Sequence, residues 1–399
     1  MYELIMSGAI DRHPDIIFSE IQENLGRPPA FVMDFRPFTF AICVVCNHEV
    51  AEQVSKGSKK FPYNMTKAHN PYVHLLGANS ILTHEEWKSL RKRFNPGFAQ
   101  QHLIAFLPCI LEKTWHFLAH LDYHARTGNL FNLDELCTVT MDVDLDAQLG
   151  KTRQSEIIRI FQRVVERFAE QRLEAQSQQT TTDHTTKKKS RSILSLSLQD
   201  INELTPSALD STCDQLKSFL SAGHDTTSIL LQWVFYELSR TFRVLQAMCA
   251  ELDEIFGPDP DPDIVRDQLL SHGEDVPSKM SHTSAVIKEI LRLYPPAATA
   301  RKAVPGAGYF VQFPDGRELC MDGLIVYNCE TIIHRDQGVY GETKDNFIPE
   351  RWLGDTDTIP PSAWRPFERG SRNCIGQELA NIEARVILAC TLRRYDFLN

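Results

Sequence analysis

No window of this chain approaches the ~20 consecutive apolar residues that a membrane span requires. The longest such run near the N-terminus, Phe38 to Cys46, is far too short and reads as a buried strand. Positive charge is not in surplus either. The 42 Lys and Arg against 52 Asp and Glu leave a net charge of −10, which argues against a nucleic-acid binder. A disulfide framework is missing as well: the ten cysteines are scattered without regular spacing, in a chain with no signal peptide. That pattern points to free thiols in a reducing compartment. Cys43-x-x-Cys46 is the one close pair, but Asn47 stands where covalent haem attachment needs a histidine, and no second ligand pair is placed for zinc. Asp259, Asp261 and Asp263 would need a glycine where Ile264 stands to form a calcium loop. Gly306-Ala307-Gly308 has Val311 where a dinucleotide fingerprint has its third glycine, so the chain carries no recognisable nicotinamide or flavin domain.

What is present is an ordinary globular composition, 42% hydrophobic and 24% charged. At 399 residues the chain exceeds the size at which one core usually stops growing, yet no linker divides it, so residues 1–399 read as one domain. Ile16 to Leu25 is amphipathic and stops before Arg27-Pro28-Pro29. Residues 30–46 alternate as a hairpin turning near Asp34 to Pro37, and Glu49 to Lys56 resumes helical character. Residues 156–173 form a charged amphipathic helix. The tract 174–192, with its Thr180-Thr181-Thr182 and Lys187-Lys188-Lys189 runs, reads as a solvated loop.

A long helix is predicted from about Pro206 to Arg240, apolar over much of its circumference and therefore central. Its middle breaks the local rules. Ala222-Gly223-His224-Asp225-Thr226-Thr227 places small residues, an acid and two β-branched alcohols in a buried helix interior, where they are poor choices. Such violations commonly mark a functional site, the alternative being a kink made for packing alone. His84 to Phe94 is charged and helical, with Trp87 and Arg91 at i, i+4 on one face. Val286 to Tyr294 carries Glu289 and Arg292 at i, i+3 and is ended by Pro295-Pro296. Gly308 to Phe313 and Gly323 to Asn328 look like strands.

Near the end, Phe367-Glu368-Arg369-Gly370-Ser371-Arg372-Asn373-Cys374-Ile375-Gly376 places a cysteine between glycines and ahead of an apolar helical run, Glu378 to Leu392. The segment reads as a tight loop wrapped around something and feeding a helix. A thiolate there would be stabilised by the helix dipole and by Arg372. A lone cysteine is more often a buried structural residue. Here the whole pattern Phe-x-x-Gly-x-Arg-x-Cys-x-Gly is present, and it resembles the haem-binding loop of the cytochrome P450 superfamily, the haem-thiolate monooxygenases. Trp87-x-x-x-Arg91, the groove Ala222 to Thr227 and the Glu289-x-x-Arg292 helix resemble further signatures of that family, in its order. The resemblance runs from about residue 30 to the end, and local runs such as Phe94-Asn95-Pro96-Gly97-Phe98 look like fungal members of secondary metabolism.

The resemblance implies a mainly helical fold with a small β region, the cytochrome P450 fold. It implies heme b ligated by Cys374 and seated by Phe367 and Gly376, with Trp87, Arg91, Arg301 and Arg372 holding its propionates. Asp225 and Thr226 would deliver protons on the oxygen side, Gly223 would leave room for dioxygen, and Ala297 to Thr299 would face an apolar substrate. Glu289, Arg292 and Arg351 of Pro349-Glu350-Arg351-Trp352 would lock the loop before the cysteine. The implied reaction inserts one oxygen atom from O2 into an apolar molecule. Its electrons would come from NADPH through a separate cytochrome P450 reductase, the enzyme being a monomer. The implied location is the cytosolic face of the endoplasmic reticulum, although the chain shows no anchor and would otherwise be soluble in the cytoplasm. Two expectations run against full activity: the access-lid region, Asp142 to Leu194, is short, and only 25 residues (399 − 374) follow Cys374, so the C-terminus reads as shortened too. A haem-thiolate isomerase or dehydratase, and a non-catalytic haem-binding remnant, stay open as alternatives.

Overall fold

The computed structural model describes residues 12–36, 40–56, 66–67, 73, 76–83, 87–133, 162–163, 165–167, 169, 193–198, 201, 203–272, 279–354 and 358–397. The expected loop at 174–192 and nearly all of the expected lid, 142–194, lie outside these residues, as does most of the helix expected at 156–173.

Helices dominate. They are α1 (Pro14–Asn24), α2 (His48–Lys56), α3 (Trp87–Phe94), α4 (Leu107–Thr127), α5 (Pro206–Arg240), α6 (Phe242–Phe256), α7 (Pro262–His272), α8 (Ser281–Leu293), the single turn α9 (Glu330–Ile333) and α10 (Gln377–Thr391), with a few further short turns between. The central helix has the bounds its sequence signals dictate. Thr205 caps it, its hydroxyl accepting from Ala208 N at 3.3 Å, and Pro206 occupies the first turn, where its missing N–H costs nothing.

The strands are β1 (Ala30–Asp34), β2 (Ala41–Val45), β3 (Thr66–Lys67), β4 (Thr299–Lys302), β5 (Phe310–Gln312), β6 (Glu318–Cys320) and β7 (Ile325–Asn328). Five of them form one sheet in the order β1-β2-β7-β4-β3, and β5-β6 is a separate hairpin. The expected hairpin at 30–46 is the β1–β2 pair, antiparallel with Val32 opposite Cys43. Against expectation, Cys46 lies one residue past β2. Both thiols are buried, and burial raises the Cys43 thiol to about 12. That places them among inert structural cysteines.

The main core packs α4, α5, α6, α8 and α10 around Phe117, Phe235, Met248, Leu252, Ile290 and Leu388, each at most 2% exposed. Burying each such side chain is worth about 1.5–3 kcal/mol. Trp233 of α5 stacks on Tyr294 with ring centroids 3.7 Å apart, and Phe235 on Phe397 at 4.2 Å. This packing holds α5 across from α10, and the space between them is the site.

Candidate haem site

The loop before α10 is fixed from below. Glu289 of α8 has no exposed side-chain surface and accepts five hydrogen bonds. Arg292 gives two, Nε at 2.9 Å and Nη2 at 2.8 Å; Arg351 Nε, Trp352 Nε1 and Ile348 N supply the others at 2.9–3.0 Å. The expected triad therefore exists, enlarged by an indole and a backbone amide. Arg292 also donates to the carbonyls of His334 at 3.0 Å, Lys344 at 2.5 Å and Asn346 at 3.1 Å. His334 joins this cluster to the cysteine loop, since its Nε2 accepts from Arg365 N at 3.0 Å while Nδ1 lies 3.2 Å from Arg292 O. The first contact needs a bare Nε2, so the proton sits on Nδ1 and is donated to Arg292 O. Burial, then the charges of Arg365 and Arg292, lower the His334 pKa to about 3, which keeps the ring neutral.

Two residues of the loop have left-handed backbone. Gly370 (φ 78°) must be glycine, because a Cβ there would overlap the Ser55 carbonyl oxygen. Glu368 (φ 54°) tolerates the same conformation at a cost of about 1–3 kcal/mol. Its carboxylate is held by Arg365 Nε at 2.8 Å and Ser55 Oγ at 2.8 Å. The loop closes with Cys374 N donating to Phe367 O at 2.8 Å, three residues before α10 starts.

Above this loop opens an apolar cavity of about 660 Å³. Of the residues expected to form the site, Trp87, Arg91, Thr226, Phe367, Arg372, Cys374 and Gly376 all line it, as do Gly223 and Ala297 to Thr299. Segments almost 290 positions apart in the chain are thus brought to one wall. Arg91 donates to Asn373 O at 2.5 Å and Asn373 Oδ1 at 2.7 Å, gripping the residue next to the cysteine. Arg372 stacks over the Trp87 indole, 4.3 Å from the ring centroid, and donates to Ile81 O (3.1 Å) and Leu82 O (3.4 Å). Those carbonyls belong to a loop that α5 clamps. Asp214 Oδ2 accepts from Asn79 N and Nδ2, both at 3.1 Å, and Gln215 Oε1 accepts from Ile81 N at 3.0 Å.

Two expected residues stand apart. Arg301 on β4 is fully buried behind Thr299, to whose hydroxyl its Nη1 donates at 2.8 Å, and it is not on the cavity wall. Asp225 is also off the wall. Its side chain is 68% exposed and pairs with His224 Nδ1 at 2.7 Å, whereas Thr226, one residue on, faces the cavity and donates to Ala222 O at 2.7 Å. The sequence reading passed over Glu330, Arg365 and His334. The one visible signal was an acid and a histidine within and just after the largely apolar stretch Ile325 to Ile333.

These residues fit a haem. A broad apolar cleft has Cys374 on its loop wall and Cys109 across from it on α4, and three arginines flank it. Among the described residues, two buried nitrogens of Arg301, Nε and Nη2, have no hydrogen-bond acceptor, as expected of a site for an anionic group. Fold and site together define a haem-thiolate protein. The sequence profile described as cytochrome P450 matches residues 147–399, and the chain belongs to that family of haem-dependent monooxygenases. It is 29% identical to cytochrome P450 monooxygenase acrF of Aspergillus aculeatus, across 97% of this chain and 88% of that protein. Identity to cytochrome P450 monooxygenase polC of Polytolypa hystricis is 28%, across 98% and 78%. Against a bifunctional cytochrome P450/NADPH–P450 reductase of Gibberella moniliformis it is 35%, across 47% of this chain and 16% of that one.

Proposed function

We propose that this chain is a monooxygenase of fungal secondary metabolism that takes an apolar substrate, with Cys374 as the axial ligand of heme b. The observation that carries the reading is Cys374 on the wall of an apolar cavity whose other wall carries Gly223 and Thr226 of α5. When bound, thiolate-ligated haem supplies dioxygen activation. Around it, Trp87, Arg91 and Arg372 secure the cofactor's carboxylate edge, and Arg301 presents spare donors behind them. Thr226 holds a hydroxyl inside the cavity and is the proton-delivering group of this reading, while Asp225, paired with His224, meets solvent one residue away. Leu103, Phe106, Ile110, Phe219 and Leu230 line the cavity and favour an apolar substrate by excluding water.

Dioxygen, a substrate and a redox partner are the family's general requirements. The specific donor we propose is NADPH through a separate cytochrome P450 reductase, a pairing that the bifunctional relative carries in one polypeptide. We propose a monomer, at the cytosolic face of the endoplasmic reticulum or free in the cytoplasm. No helix among the described residues is long and apolar enough to cross a membrane.

The test is the reduced, CO-bound absorption spectrum. Wild-type protein should give the red-shifted Soret band of a thiolate complex and consume NADPH with reductase to form an oxygenated product. Cys374→Ala should abolish both. A normal band in that variant would remove Cys374 as the ligand, and a good band without any oxygenated product would favour the non-catalytic reading.

A further inference from the structure

Behind the cavity wall lies a polar cluster that the cysteine-loop motif does not explain. Arg301 and Arg365 are both buried, at 0% and 1% exposure. Glu368 answers only one of them fully: it is hydrogen-bonded to Arg365 through Nε at 2.8 Å, whereas its Oε2 is 3.7 Å from Arg301 Nη2. Asn328 Nδ2 donates to the same Oε2 at 3.2 Å. What remains is a set of unused groups. Among the described residues, Arg301 Nε and Nη2 and Arg365 Nη1 have no hydrogen-bond acceptor, and Asn328 Oδ1 has no donor.

Glu330 stands beside them on the wall of the haem cavity. It is 1% exposed, its Oε2 has no hydrogen-bond partner, and no ion pair reaches it among the described residues. An ionised carboxylate cannot be sustained in that position without donors. Burial and then the neighbouring charge of Glu368 raise its pKa well above the ordinary value. Asp15 pushes the same way, and Arg365 and Arg301 oppose them without reversing the outcome. The cluster therefore holds two guanidiniums, one carboxylate and one neutral acid. It has one positive charge in excess and spare donors, next to a cavity that fits a cofactor with anionic carboxylates.

We propose that Glu330 is a positioning residue of the haem pocket, whose carboxyl group donates a hydrogen bond to the cofactor carboxylate received by the spare nitrogens of Arg301. The inference rests on the haem reading above. A neutral donor suits this place, because a second carboxylate would cancel the excess positive charge and repel the cofactor's own.

Glu330→Gln keeps a neutral donor of similar size, and Glu330→Val removes it. Each holoprotein is checked for folding by circular dichroism, for haem loss by transfer to apomyoglobin, and for its midpoint potential. The Gln variant should hold haem and keep its potential like wild type, while the Val variant should lose haem roughly ten- to a hundredfold faster. The infrared spectrum of wild-type holoprotein should carry a protonated-carboxyl band that disappears in the Gln variant; if the Val variant does not fold, this band and the Gln potential decide. A potential in the Gln variant displaced as by the loss of a negative charge would overturn the proposal, and so would Val and Gln variants both matching wild type. Wild-type protein that takes up no haem would instead overturn the haem reading itself.

Discussion

The two sides of the cavity are held by different kinds of bond. Beneath Cys374, Glu289 collects five donors, Arg292 reaches three carbonyls, and His334 bonds at both ring nitrogens. On the α5 side, Thr226 donates to its own helix and the Asp225 carboxylate pairs with its chain neighbour His224. Apart from Ser218 and Thr227, the rest of that wall is apolar. A loop with two left-handed residues needs directional bonds to keep its shape, whereas an apolar wall needs only bulk. The comparison teaches that the shape of the cysteine loop is over-determined while the α5 wall can lose single side chains without losing its fold.

The largest expected effect breaks the lower side. Glu289→Ala strands Arg292, Arg351, the Trp352 indole N–H and Ile348 N in a buried site. The expected loss is about 3–5 kcal/mol in a denaturant titration, together with loss of haem. A stable, haem-loaded Glu289→Ala protein would show that the two sides do not differ as described.

On the α5 side the same kind of deletion should spare the fold. Thr226→Ala removes a hydroxyl bonded only within its helix, so the CO spectrum and thermal stability should stay near wild type. Product formation should fall by about 10²-fold, the lower end of what a proton-transfer group contributes, while NADPH is still consumed and peroxide accumulates. Undiminished product per NADPH would refute the role given to Thr226.

The smallest effect is a pH dependence confined to the lower side. His334 has its pKa lowered from 6.5 to about 3 in the folded chain. Between these values the unfolded chain binds a proton that the folded one refuses, so this contribution is complete above about pH 6.5 and is lost on acidification. Between pH 7 and pH 5 it amounts to about 2 kcal/mol. Denaturant midpoints at the two pH values, compared with His334→Asn, isolate it. An equal drop in the variant would assign the acid sensitivity elsewhere.

Much of this was legible in the chain. The bounds of α5 follow from Thr205, Pro206 and the length of its apolar run. The β1–β2 hairpin follows from alternation, and the Glu289-x-x-Arg292 pair from helical spacing. These are local rules, in which near neighbours decide the outcome. The sites of Arg301 and Asp225 were less legible. Asp225 is one helix step from the cavity-lining Thr226, and that step turns its side chain aside. Arg301 shares a strand face with the cavity-lining Thr299 but stands behind it, bonded to its hydroxyl. Glu330 was invisible for a different reason. Its meaning depends on Arg301, Arg365 and Glu368, which arrive from β4 and from the cysteine loop.

By itself, then, the sequence determined helices such as α1, α5 and α10, the hairpin and a set of candidate haem-site residues, because spacing and motif are properties of the chain. Only the tertiary structure decided that Arg372 lies on Trp87, that Arg91 grips Asn373, and that a buried glutamate whose Oε2 has no hydrogen-bond partner among the described residues lines the cavity. Those facts depend on which segments meet and on how little water remains between them. Burial and the proximity of distant charges have no signature in a linear order of residues.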